Sequence, residues 1–157
     1  MRALLILIFL TGCSVARFYQ GPAVSQELRK NETSLGLVVN QVESDFQQKA
    51  NFVDNFHEKG KDPFIMKNLD MKLEEMKTHR EIVIRTTDQI RKLNDHLLTK
   101  VEDKKKIREG DPAFKAIEDF ADKKDEALSE LLKEVANYKK SSEEFEQLAF
   151  FTKLVKR

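Results

Sequence analysis

Few side chains in this sequence could do chemistry. Cys13 is the only cysteine in 157 residues, and His57, His79 and His96 are the only histidines. No two histidines stand at i, i+4, the spacing that puts two ligands on one helix face, and no His-Glu-x-x-His run occurs. A zinc site therefore has no basis in the sequence. Carboxylates adjoin at Glu74-Glu75 and Glu143-Glu144, but on highly charged helices such groups ordinarily pair with lysines one turn away and face water. The reading is a protein that is not an enzyme, with no catalytic residue, no metal ligand and no cofactor. What one thiol is for is then the question.

Cys13 follows the apolar run Ala3–Leu10, with Arg2 before it and the small residues Thr11 and Gly12 after it. Eight residues are too few to span a bilayer, which takes about 20. A basic start, a short apolar stretch and a small-residue exit describe a secretory signal. Leu10-Thr11-Gly12-Cys13 resembles the lipobox of bacterial lipoproteins: an aliphatic residue, two small residues, then cysteine. The resemblance covers the first thirteen residues only. It implies cleavage between Gly12 and Cys13, a diacylglyceryl group on the Cys13 thiol and acylation of the new amine with palmitate-type chains. Two or more such chains anchor a protein stably to a membrane. An odd thiol in an exported protein otherwise needs a partner. Ser14 is not the aspartate that retains enteric lipoproteins at the inner membrane. The expected location is thus the cell envelope: the outer membrane where there is one, and otherwise the outer face of the cell membrane.

Without residues 1–12 the chain has 145 residues, and 27 basic side chains face 27 acidic ones. That balance excludes an ordinary nucleic-acid binder, which carries a basic excess. Ala, Glu, Lys, Leu and Arg make up a little under half of the chain, with only five Gly and three Pro. Such composition favours long helices or coiled coils. Residues 13–24 hold Arg17, Gly21 and Pro22 with little periodicity and read as a lipidated tether.

Residues 25–157 read as one helical domain. Leu28, Leu35, Val42 and Phe56 recur on one helical face, with Val39, Phe46 and Val53 beside them, over a first helix of about 25–59. Gly36 lies inside that run and weakens it. Two corners follow, "EKGKDPF" ending at Phe64 and "REGDPAF" ending at Phe114. In each, Gly can cap the helix that ends, Asp can cap the next, and Pro suits the first helical position. The second helix, about 63–108, carries Leu69, Met76, Val83, Ile90 and Leu97 seven residues apart. Its companion seam holds Ile65, Leu93 and Ile107, but also Lys72, His79, Thr86 and Lys100. The third helix, about 112–156, alternates three and four through Phe114, Ile117, Ala121, Lys124, Leu128, Leu131, Val135, Tyr138, Ser142, Phe145 and Ala149. Sustained heptads imply knobs-into-holes packing, and short corners make neighbouring helices antiparallel. The fold class expected is all-α, an elongated antiparallel three-helix bundle or coiled coil.

Two surfaces stand out as candidates for interaction. Lys104, Lys105, Lys106 and Arg108 precede the second corner, which would face the membrane if the first helix leads away from it. Phe150, Phe151, Leu154, Val155, Lys156 and Arg157 close the chain and offer more apolar surface than one stripe can bury, the mark of a partner patch. The leading expectation is a lipid-anchored, non-catalytic spacer or protein-interaction module, bound to the membrane through its lipid and to an unknown envelope protein, with self-association open. It faintly resembles the murein lipoprotein family in combining an acylated N-terminal cysteine, heptads and a basic C-terminus, although that family has one short helix per chain. The alternative is a chaperone-like or inhibitor-like binder with a groove between helices lined by Lys72, His79, Thr86 and Lys100.

Overall fold

The computed structural model describes residues 18–58 and 62–154, with side chains to residue 152. Cys13 and Gly12 lie outside the described residues, as do Val155, Lys156 and Arg157; nothing is described of the Leu154 side chain. The described chain is an antiparallel three-helix bundle. A short strand β1 (Phe18–Tyr19) leads into α1 (Gly21–Glu58), followed by α2 (Pro63–Val101), a second short strand β2 (Ile107–Arg108) and α3 (Pro112–Leu154).

α2 is the central element because its heptad stripe is the most regular. Leu69, Met76, Val83, Ile90 and Leu97 are all buried, none more than 2% exposed. One face of α2 meets α1 through ion pairs such as Arg80–Glu43 and Arg91–Glu32. Another meets α3 through His79–Glu134 and Arg85–Glu130. As the residue numbers rise along α2 they fall along both partners, which is the antiparallel register. α1 and α3 stand further from each other and meet through long side chains, as where Tyr138 Oη reaches within 3.1 Å of the Val42 carbonyl oxygen and the Phe52 and Phe145 rings meet edge to face at 6.0 Å.

The corners obey their chemistry in part. Asp62 accepts a hydrogen bond from the Phe64 amide at 2.8 Å, with Pro63 at the first helical position. Asp111 accepts from the Ala113 amide at 2.9 Å, with Pro112 following it. Gly110 has φ +94°, the left-handed conformation that glycine adopts without a Cβ clash. It does not cap α2, however. That helix stops at Val101, seven residues short of the expected end at 108, and Gly110 turns the chain after β2. Ile107, read above as part of a helical seam, is a fully buried strand residue.

The N-terminal boundary also moves. Residues 18–24 are not tether: Phe18 pairs with Arg108 and Tyr19 with Ile107 in an antiparallel ladder, and α1 begins at Gly21. Tyr19 packs on Phe114 with ring centroids 5.1 Å apart. Gly21 is required there, because a Cβ at that position would lie 1.8 Å from the Lys104 carbonyl oxygen and 2.7 Å from that of Val101. These contacts tie the start of α1 to the α2–α3 connection at one end of the bundle.

The α3 stripe is buried at Phe114, Ile117, Leu131, Tyr138 and Phe145, whereas Ala121 is exposed and the half-buried Phe120 takes up its share. Leu131→Ala should therefore destabilise the protein by about 2–5 kcal/mol, the usual range for a packed leucine. Lys133→Ala, on the exposed side, should change stability by no more than about 0.5 kcal/mol. Urea unfolding of both variants checks this.

Candidate functional site

At the end closed by β1 and β2, the basic corner is only partly available. Lys104 is committed, its Nζ lying 2.6 and 2.8 Å from the two Asp111 carboxylate oxygens. That lysine, then the Ala113 amide, hold the Asp111 carboxyl below its ordinary range. Lys105, Lys106 and Arg108 are exposed, and the Lys106 ammonium stands 4.9 Å from the centre of the Phe18 ring. Glu102 and Asp103 precede these cations and Glu109 and Asp111 follow them. The corner is therefore mixed in charge along the chain rather than a basic patch.

The opposite end gathers aromatic surface. Phe150 and Phe151 are 59% and 60% exposed, and Phe64, at the start of α2, is 74% exposed. Beside Phe150, a cleft of about 330 Å³ opens between α1 and α3, lined by Gln48, Lys49, Phe52, Phe145, Glu146 and Ala149. Its charged groups neutralise each other, Lys49 Nζ lying 3.1 Å from Glu146 Oε1 and also bonding Asp45. Exposed phenylalanines beside a charge-neutral cleft are unusual in a chain of which 35% is charged.

The groove expected from the α2 companion seam does not open. Lys72 is held by Glu75 at 2.7 Å and by Glu144, and the Glu144 and Glu75 hydrogen bonds raise its pKa. His79 Nδ1 meets Glu134 at 2.8 Å, Thr86 is fully buried, and Lys100 faces solvent. Lys72 and His79 thus bind α2 to α3.

A polar network absent from the sequence reading joins α1 to α3 further along. Asp45 receives Lys49, Ser142 Oγ at 3.0 Å and Tyr138 Oη at 2.9 Å. Burial pushes the Asp45 carboxyl up, but these donors together outweigh it and leave the pKa below the ordinary value. Burial, then the Asp45 carboxylate, drive the Tyr138 phenol well above its usual range. A signal did exist. Leu28, Leu35, Val42 and Phe56 leave one heptad place empty, and Lys49 fills it, buried.

Among the described residues, no three His, Cys, Asp or Glu side chains come together so as to hold a metal ion, and no helix is long and apolar enough to cross a membrane. Comparison with protein-family models, with curated proteins and with solved structures finds no match to this chain.

The lowered carboxyl pKa values of Asp45 and Glu75 give a signed prediction. Burial raises the first, but donors from Lys49, Tyr138 and Ser142 lower it; hydrogen bonding by Lys72 leads in lowering the second. Groups whose folded pKa is depressed contribute stability above their unfolded pKa, and that contribution is lost as pH falls through the folded value. Their share of the thermal stability should thus hold above their ordinary values of 3.8 and 4.5 and fall away below them. Asp45→Asn should melt lower than the parent at neutral pH and lose less on acidification, as followed by thermal melts across the acid range.

Proposed function

We propose that this protein is a lipid-anchored, non-catalytic helical spacer of the bacterial cell envelope, holding a protein-interaction surface away from the membrane. The observation that carries the reading is the polarity of the rod. β1 starts five residues after Cys13, at the end where α1 begins. Phe64, Phe150, Phe151 and the α1–α3 cleft lie at the other. Helices of 38 to 43 residues separate the two, about 55–65 Å at 1.5 Å per residue. An anchor at one end and an uncommitted aromatic surface at the other suit a protein that presents something at a set height.

Support for the anchor comes from the lipobox resemblance at Leu10–Cys13, and support for a partner site from the apolar character of the distal end. The membrane is one partner, through the lipid; a protein of the envelope is the other. A second reading, a binder that takes its client into an inter-helix groove, is favoured by the distal cleft, which lies between α1 and α3 rather than along the polar seam of α2.

Intact mass and membrane fractionation of the full chain expressed in a bacterium test the anchor. The mature protein should begin at Cys13, carry the mass of its acyl chains and stay with the membranes, while Cys13→Ser should be released or remain unprocessed. An unmodified mature chain that begins elsewhere contradicts the proposal.

A further inference from the structure

Buried polar groups are distributed unevenly along the bundle. In the distal half they are engaged: Asp45, Lys49, Glu134, Tyr138, Ser141 and Ser142 all have hydrogen-bond partners. Among the described residues, the buried side-chain atoms without a protein partner are Ser25 Oγ, Asn31 Nδ2, Thr86 Oγ1, Thr87 Oγ1 and both amide atoms of Asn94. All belong to the first half of α1 and the second half of α2. Each such group gives up hydrogen bonds to water on folding and gains none within the protein, so it subtracts from local stability.

The apolar core divides within that region, with Thr86 and Thr87 on the side of the first cluster. One cluster runs from Phe56, Leu69 and Phe145 to Leu35, Ile90 and Leu131. The other comprises Leu28, Leu97, Val101, Ile107, Ala113, Phe114 and Ile117. Between them fall Asn31 on α1, Asn94 on α2 and Lys124 on α3. The register set by Arg91–Glu32 and Arg85–Glu130 brings these three to neighbouring turns. Lys124 is 4% exposed, yet its ammonium meets the Phe120 ring at 5.4 Å and pairs with no carboxylate of the described residues. Burial lowers its pKa, against smaller opposing effects of Glu27 and Asp125.

The start of α1 is held over this layer by the two-residue ladder of β1 on β2, the close seat of Gly21 on the α2 carbonyls, Tyr19 on Phe114, the buried Leu28, and the ion pairs Arg91–Glu32 and Arg29–Glu102, the second of them exposed. Exposed pairs of this kind add little. Gly36 lies inside the continuous α1 five residues past Asn31, at a position where a Cβ would meet only the Arg91 guanidinium, at 3.8 Å.

We propose that residues 18–34 form a releasable strap: β1 and the first turns of α1 lift off α2 and α3 as a unit, bending next to Gly36, while Leu35 and the distal half stay packed. Release uncovers the second apolar cluster and leaves the network around Asp45 and Lys49 intact. The strap is also the segment nearest Cys13, but the proposal stands without the anchor, since it rests on the interior alone.

Hydrogen exchange of the full chain, read by mass spectrometry, tests it. Peptides from 18–34, 94–101 and 113–120 should exchange at least about tenfold faster than those from 42–56, 69–83 and 131–149, as expected of a unit that opens below the global unfolding limit. Asn94→Leu removes both unpartnered amide atoms from the layer between the two clusters. It should slow the first set severalfold and leave the second unchanged. Gly21→Ala should speed the first set only. Equal protection of both sets overturns the proposal. So does an equal response of both sets to Asn94→Leu, or a Gly21→Ala variant that exchanges like the parent.

Discussion

Everything in this fold depends on one unbroken line of side chains, Leu69, Met76, Val83, Ile90 and Leu97, on the inner edge of α2. Two helices must cover that line, and the corners at Asp62-Pro63 and Asp111-Pro112 return the chain so that they do. Once α1 and α3 both run antiparallel to α2, their own stripes face inward and the outer faces are left to charge. Helices this long cannot rely on propensity; they persist because burial continues along their length. The rod is the consequence of a hydrophobic period kept over five heptads.

Polar side chains then decide how tightly each part of the rod is held. Where the α1 stripe should carry an apolar residue at its fourth heptad, Lys49 stands instead, and the structure answers it with Asp45 and Glu146. Tyr138 and Ser142 complete the set from α3. A buried charge answered in this way helps to fix the register of one helix against another. Asn94 and Lys124 occupy comparable interior places at the other end, without such answers. The same device, a polar residue in a coiled-coil core, thus acts as a fastener in one half and as a weak layer in the other.

The helices were legible in the sequence because their determinants are local: apolar spacing, an aspartate before a proline, few glycines. The end of α2 was not. Ile107 continues the heptad arithmetic, and nothing between Glu102 and Arg108 forbids a helix by composition. What stops it is a strand at Phe18–Tyr19, nearly ninety residues earlier in the chain, a pairing that no reading of periodicity can reveal. For the same reason Tyr19 and Gly21 read as tether in the sequence, although one packs on Phe114 and the other lies against backbone carbonyls. The aromatic surface at Phe150 and Phe151 was visible as an excess of apolar residues. The cleft beside it was not, since it arises from the wider separation of α1 and α3. Neutralisation of the basic corner was only half visible: the acids are in the sequence, but the commitment of Lys104 to Asp111 is a matter of geometry.

The proposed anchor at one end of the rod and the aromatic surface at the other together imply a set height above the membrane. The most direct test is the distance of a fluorescent label at position 151 from the bilayer of vesicles carrying the acylated full chain, measured by energy transfer to dyes in the lipid headgroups. The account predicts a separation of about 55–65 Å, set by helices of roughly 40 residues at 1.5 Å each. A label within about 20 Å of the bilayer, less than half of that helix length, would mean that the rod lies along the membrane, and would contradict the spacer account.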